Sequence, residues 1–343
     1  VVSPGFNLWK NKATYNGRVE KDDRKYVSFG TSGLVIGSGT QKDRKGRNSN
    51  SAFALAINRS ANVGSNLLYR GVNNQSSYSH KFLEEINGVR DANAVASNYP
   101  FGTSLAFNTY WIDTVAGGSS GNYQFQTRAP FATGLIQENV VESRGGVTEL
   151  ALGFAHVTND KWFWGFTLGV PFLHYDRTST FTEADATTDA NNKFDYAVYT
   201  QNLETRGSGI NMKMGFIYKP VEYVRLGLAF HTPSFYRLND QYSASVTTNT
   251  ESYQGTMSQA SSLLNNGVDG QFSYWMFTPY RLMASASYVL REIEDVRKQR
   301  GFLTADIEYV NYKASSYTTD PEGDNSQGTK DYLKSLNNAI DNA

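Results

Sequence analysis

Apolar residues recur at every second position along much of this chain, yet no apolar run is long. One register reads Ile210, Met212, Met214, Phe216 and Tyr218; the other reads Asn211, Lys213, Gly215, Ile217 and Lys219. After a turn at Lys219-Pro220-Val221-Glu222, Val224, Leu226, Leu228 and Phe230 face one way, against Tyr223, Arg225, Gly227, Ala229 and His231. Period two on both arms predicts a β-hairpin.

The pattern repeats. Leu150, Leu152 and Phe154 share a face before a turn at Thr158-Asn159-Asp160-Lys161. Trp162, Trp164, Phe166, Leu168 and Val170 follow, opposite Phe163, Gly165, Thr167 and Gly169. Further strands are predicted through Leu282–Leu290, Leu303–Tyr309 and Phe53–Ile57, with weaker ones around Tyr26–Ile36 and Phe6–Tyr15. Residues 79–97, 105–116 and 329–342 have helical spacing, with Thr329 as the expected N-cap of the last. Thr- and Ser-rich segments 178–206 and 240–258 read as strand extensions or loop.

Connections alternate in length. Short ones are expected near 38–50, 158–161, 219–222 and 291–301. Long ones are expected near 71–145, 176–206, 239–271 and beyond 313. Short turns at one end and long loops at the other are the habit of outer-membrane barrels.

An antiparallel sheet with one apolar face can also cover a soluble core. Three features favour lipid instead. The face opposite the apolar one is rich in small residues, including Ala151, Gly153, Ala155, Gly165, Gly215 and Gly227. Charges fall on that same face: Glu149, Lys213, Arg225, Arg281, Asp306 and Glu308. Arg or Lys facing lipid at mid-depth would cost about 2–4 kcal/mol each. Aromatics flank the strands, with Trp162, Trp164, Tyr218 and Tyr223 at the short turns and Phe172, Tyr175, Phe235 and Tyr236 at the far ends, as interfacial girdles do. The expected fold is therefore all-β: a transmembrane antiparallel up-and-down β-barrel of one domain over residues 1–343, with about nine strands present and short helices in long extracellular loops.

Composition changes this picture little. The 343 residues carry zero formal net charge, which gives no reason to expect a nucleic-acid partner. There is no cysteine, which excludes disulfides, thiol catalysis and zinc–thiolate sites. Aromatics make up 14%, and the 22 tyrosines against 8 prolines suit strands. No apolar run is long enough for a transmembrane helix. The start at Val1 and the end at Ala343 inside a predicted helix read as a piece of a longer protein.

Candidate chemistry is sparse. His80, His156, His174 and His231 are scattered without metal-ligand or triad spacing. No metal, cofactor or catalytic residue is expected, and the inward acids read first as cross-strand partners of Lys213, Arg225 and Arg281. The glycines lie along strands rather than in a phosphate-binding turn.

The stretch "GSGINMKMGFIYKPVEYVRLGLAFHTPSFYRLNDQY" resembles the FadL/TodX-type outer-membrane transporters of hydrophobic compounds, particularly the Bacteroidota branch. "WFWGFTLGVPFLHYDR" and "FALAINRSANVGSNLLYRG" look like other strands of that family, and the likeness spans most of residues 25–312. The resemblance implies a fourteen-stranded barrel with an N-terminal hatch, a loop groove that catches long-chain fatty acids or aromatic hydrocarbons, a luminal site, and lateral exit beside a kinked strand. The hatch with its Asn-Pro-Ala signature and the last strands are absent from this sequence. It also implies an outer-membrane location in a Gram-negative bacterium, lipid as a partner, no enzymatic activity and a monomeric state.

On that footing the apolar groove is expected at Phe172, Phe181, Phe235, Leu263 and Leu264, and a carboxylate head group at Lys213 or Arg225. Ionic bracing is the plainer role for these two cations. The strand kink is expected at Asn58, Arg59 and Ser60, where the apolar register would otherwise turn Arg59 toward lipid; the alternative is that the strand reaches the headgroup level there. A non-transporting scaffold or protein-binding barrel of the same family is the main alternative. An outer-membrane lipase would need Ser and His together at the rim, and a soluble adhesin would need no detergent.

Overall fold

The computed structural model describes residues 2–38, 41–42, 48–115, 118–119, 121–187, 189–290 and 301–342. In chain order the strands are β1 (Pro4–Tyr15), β2 (Arg18–Phe29), β3 (Ser32–Gly37), β4 (Gln41–Lys42), β5 (Asn48–Asn62), β6 (Ser65–Asn73), β7 (Ile112–Thr114), β8 (Phe125–Thr127) and β9 (Leu135–Thr158). Then come β10 (Trp162–Asp185), β11 (Tyr196–Val221), β12 (Val224–His231), β13 (Phe235–Asn249), β14 (Thr256–Ala260), β15 (Gly270–Phe277), β16 (Tyr280–Leu290), β17 (Gly301–Asn311) and β18 (Ser316–Thr319). Helices α1 (His80–Glu85), α2 (Ala92–Ser97) and α3 (Thr103–Asn108) lie between β6 and β9. Helix α4 (Ser261–Leu264) follows β14, and α5 (Gln327–Asn342) follows β18.

One antiparallel sheet runs in the order β17-β16-β12-β11-β10-β9-β5-β3. Neighbours in space are mostly neighbours in sequence, so the topology is up-and-down. Several segments are two halves of one crossing: β5 with β6, β12 with β13, and β15 with β16, the last two joined across Thr232-Pro233-Ser234 and Thr278-Pro279. Proline lacks the N–H a ladder needs, which explains interruptions at these points. Among the described residues β3 and β17 pair only inward, so the sheet is not closed.

Register fixes the two ends. Ser49 opposes Thr158, and Val224 opposes Tyr288, so the Thr158–Trp162, Val221–Val224 and Leu290/Gly301 strand ends share one side. Positive φ at Asn159 (60°) and Asp160 (55°) makes the first of these a tight hairpin turn. The second turn is only Glu222-Tyr223, because β11 continues through Pro220 with a register irregularity between Tyr218 and Val221. The short connections expected at 38–50 and 291–301 lie largely outside the described residues.

At the other side the long connections are shorter than expected, because the strands continue. β10 runs to Asp185 and β11 starts at Tyr196, so most of 176–206 is ladder. Alternation cannot reveal such strands when polar and apolar residues are mixed on both faces. The expected strand around Tyr26–Ile36 is two strands: β2 pairs with β1, whereas β3 pairs with β5. Helix 79–97 breaks into α1 and α2, and 105–116 is helical only to Asn108 before β7. In α5 the cap is Ser326, whose Oγ accepts from the Thr329 amide at 3.4 Å, while Thr329 lies inside the helix.

The sheet's faces follow the alternation. Phe53 and Leu55 pair with Phe154 and Leu152, these with Phe166 and Leu168, and these with Met214 and Met212 on a single face. Among the described residues no other layer covers it: Leu152, Phe166 and Met214 stay 38%, 45% and 43% exposed. The opposite face behaves differently along its length. In the turn-side half it carries mostly Gly, Ala, Ser and Thr, with Val35, Phe163, Ile217 and Met283 among them. In the extensions it carries Phe181, Glu183, Ala197, Tyr199, Ala244 and Val246, all buried beneath residues 77–134. The principal core thus lies between the strand extensions and α1–α3, where Phe82, Leu105 and Trp111 are fully enclosed.

Candidate functional site

The small-residue half of the inner face lines an open hollow of about 1270 Å³. Ala54, Gly153, Gly165, Gly227 and Ser285 form its floor, each contributing little side-chain volume on the inward register. Lys213, His231, Asp306 and Glu308 bring charge and polarity to the same space.

Its polar seam is built across three strands. Glu149 on β9 is 4% exposed and is ion-paired with Lys213 on β11. Its carboxylate also accepts from Asn211 Nδ2 at 2.9 Å, and that amide donates to Ser234 Oγ at 3.0 Å. Between them lies Gly169 of β10. A Cβ there would stand 2.9 Å from the Glu149 carboxyl carbon and collide with Asn211 Oδ1, so only glycine leaves the crossing open. Arg281 and Glu308 form a second cross-strand pair at 3.2 Å. Both pairs are the bracing expected of inward charges.

The predicted ligand residues do not converge. Phe172 (50% exposed) and Phe235 stand on the outward face, the latter edge-on to Phe277 at 5.2 Å. Phe181 is buried in the loop core, stacked on Tyr78 at 4.4 Å. On α4, Leu263 is 71% exposed while Leu264 packs against that core. The five therefore do not form one groove, because strand alternation separates Phe172 and Phe235 from Phe181. Lys213 lines the cavity but is engaged by Glu149; Arg225 is on the inward register of β12, opposite Ser287.

At the segment Asn58-Arg59-Ser60 the β5–β9 register shifts between Arg59 and Ala61. Arg59 lies across β9, donating to Thr148 Oγ1 at 2.9 Å and to the Gly145 carbonyl at 2.6 Å. Gly145 (φ 115°) and Gly146 (φ 148°) make this possible; a Cβ on Gly146 would meet Arg59 Nη2 at 2.7 Å. Beyond the bulge the crossing breaks at Val63-Gly64, and among the described residues β6 pairs as a strand only with β9. Its other side is bridged by side chains of the β1–β2 hairpin: Asn11 donates to the Asn66 carbonyl and Asn16 Nδ2 to the Val72 carbonyl at 2.8 Å. The wall beside β6 is therefore side-chain contact, not a backbone ladder.

One buried group escapes sequence reasoning altogether. Glu183, fully enclosed in the strand extension, accepts from Ser77 Oγ, Tyr78 N (3.0 Å), Trp111 Nε1 (2.7 Å) and Gln137 Nε2 (3.0 Å). Burial pushes its carboxyl up from the ordinary glutamate value, against the pull of those donors. Gln137 Oε1 in turn accepts from Tyr15 at the hairpin tip at 2.7 Å. In the sequence, Glu183 sits in a Thr-rich stretch that looks like any solvated acid.

No protein-family model, curated protein or solved structure matches this chain.

Proposed function

We propose that this chain forms the wall of an outer-membrane β-barrel that lets hydrophobic small molecules, long-chain fatty acids or aromatic hydrocarbons, pass down their gradient. One observation carries this reading. The outward face is apolar from β3 to β17, with Leu34, Leu55, Leu152, Phe166, Met214, Leu228, Leu282 and Ile307 all exposed. On β10 it runs from Trp162 to Phe172, matching the about 9–11 residues a tilted strand needs to cross a bilayer. A monomer in water rarely leaves so continuous an apolar surface bare. No helix among the described residues is long and apolar enough to cross.

In this reading the small inward residues leave the lumen room for a ligand, and burial of its chain supplies about 25 cal/mol per Å². Glu149–Lys213 and Arg281–Glu308 brace the wall. The register shift at Ser60 and the unladdered side of β6 support a lateral way out toward lipid. The resemblance to FadL/TodX-type transporters implies a luminal site and a lateral exit of this kind.

The test is uptake of a labelled long-chain fatty acid by Gram-negative cells that lack their own hydrophobic uptake channel and carry this protein in the outer membrane. Uptake should exceed that of cells without it, and deletion of Ser60, which removes the extra residue, should lower it while the protein stays folded. Protein that reaches the outer membrane yet gives no gain in uptake would leave the scaffold reading in its place.

A further inference from the structure

We propose that His174, Asp176 and Glu204 form a binding site for a first-row divalent metal ion such as Zn2+, on the outward face just beyond the apolar band. The site does not depend on the transport reading. Asp176 on β10 and Glu204 on β11 are directly opposed in register, and His174 precedes Asp176 by two residues on the same face. One ligand atom from each of the three lies within 4.8 Å of the other two. His174 Nε2 and the Asp176 carboxylate are already 2.8 Å apart. Zinc sits about 2.0–2.2 Å from nitrogen and oxygen ligands, so donors up to about 4 Å apart can share it, which small turns of these side chains reach.

The donor set selects the ion. One imidazole and two carboxylates suit Zn2+ or Mn2+, whereas Ca2+ takes six to eight oxygens and gains little from the ring nitrogen. The ligands stand on a stretch of β10 and β11 laddered without a break from Phe172 to Ala184, so the frame is fixed before the ion arrives. His174 and Asp176 are 46% and 41% exposed, leaving positions on the ion for water and an open route of entry. Sequence spacing hides the site because Glu204 comes from the neighbouring strand.

Two guanidiniums border it. Arg206, opposite His174, is ion-paired with Glu204, and Arg144, opposite Asp176, is held by Glu142 at 3.2 Å. Arg206 therefore competes with the metal for Glu204, and removing it should tighten binding.

Tag-free protein in detergent, stripped with chelator, is titrated calorimetrically with Zn2+, Mn2+ and Ca2+. One equivalent of Zn2+ should bind, more tightly than Ca2+. Outer partners of metal ligands already carry about 10–100-fold in affinity, so His174→Ala and Glu204→Gln should each weaken Zn2+ binding by at least that much. Arg206→Gln should tighten it, and His156→Ala should leave it unchanged. These side chains are surface groups, and heat-shifted gel mobility confirms that each variant is folded. Absence of saturable one-to-one binding, or retention of it in both His174→Ala and Glu204→Gln, overturns the site.

Discussion

Glu149 and Lys213 belong to strands that do not pair, yet they form an ion pair across the intervening β10, over the bare backbone of Gly169. The pair joins β9 to β11 on the inward face and sets where small residues give way to the polar seam. Lys213→Ala would strand a carboxylate that is 4% exposed. Breaking a buried pair from one side costs about 3–5 kcal/mol, and the partial access of Lys213 to the cavity places this case near the lower end. The double variant Glu149→Gln/Lys213→Met should recover much of that loss in urea unfolding in detergent. Gly169→Val should destabilise by about 1–3 kcal/mol through overpacking.

Outward and inward positions should answer differently to charge. Leu226→Arg or Leu152→Arg would bring a cation onto the apolar band, at about 2–4 kcal/mol each near mid-depth. Thr167→Arg, on the inward register beside the cavity, should cost far less. The folded fraction in lipid vesicles, read from heat-shifted gel mobility, checks the contrast. Equal losses at both faces would count against it.

Glu183 ties the loop core to the sheet, and its raised pKa gives the sign of a pH effect. A buried acid with a raised pKa binds its proton more readily folded than unfolded. Stability from this group is therefore complete below the ordinary glutamate range and falls as pH rises through that range toward the raised value. Limited proteolysis within residues 74–134 should accelerate across that interval, and Glu183→Gln should flatten the dependence. The same substitution places an amide NH2 against donors, at about 1–3 kcal/mol.

Gly146→Ala should dislodge Arg59. Its Cβ would collide with the Ala61 carbonyl, crowd the guanidinium and strain a φ of 148°, the strain alone costing about 1–3 kcal/mol. Amide exchange on the β5 side of the bulge should speed up, while exchange in β10–β11 stays the same.

Much of the fold is legible in the sequence where one face is apolar. The hairpins at Thr158–Trp162 and Val221–Val224 and the facing of Leu152, Phe166 and Leu228 follow from alternation alone. Alternation fails where polar and apolar residues are mixed on both faces. The Thr-rich ladder Thr178–Asp185 against Tyr196–Asn202 is held by backbone pairing and by a core that other segments supply. Strand β2, with its charged run Glu20–Lys25, is held by β1 through pairs such as Lys10↔Asp23. The candidate site divides the same way. Glu149, Lys213 and the irregularity at Ser60 could be placed from register and charge. The apolar ligand residues could not, because a Phe in a strand extension faces either the loop core or the outside according to parity that only the full ladder fixes.

The central claim is that lipid covers the apolar face, and the lack of cysteine makes it directly testable. Single cysteines at Leu152, Gly153, Leu226, Gly227, Leu228 and Ala229 would carry nitroxide labels in protein reconstituted into vesicles. The account predicts strong relaxation by oxygen, which partitions into hydrocarbon, at Leu152, Leu226 and Leu228. It predicts weak relaxation at Gly153, Gly227 and Ala229, repeating with period two. Loss of that alternation, or water-soluble relaxation agents dominating at Leu152 and Leu228, would contradict it.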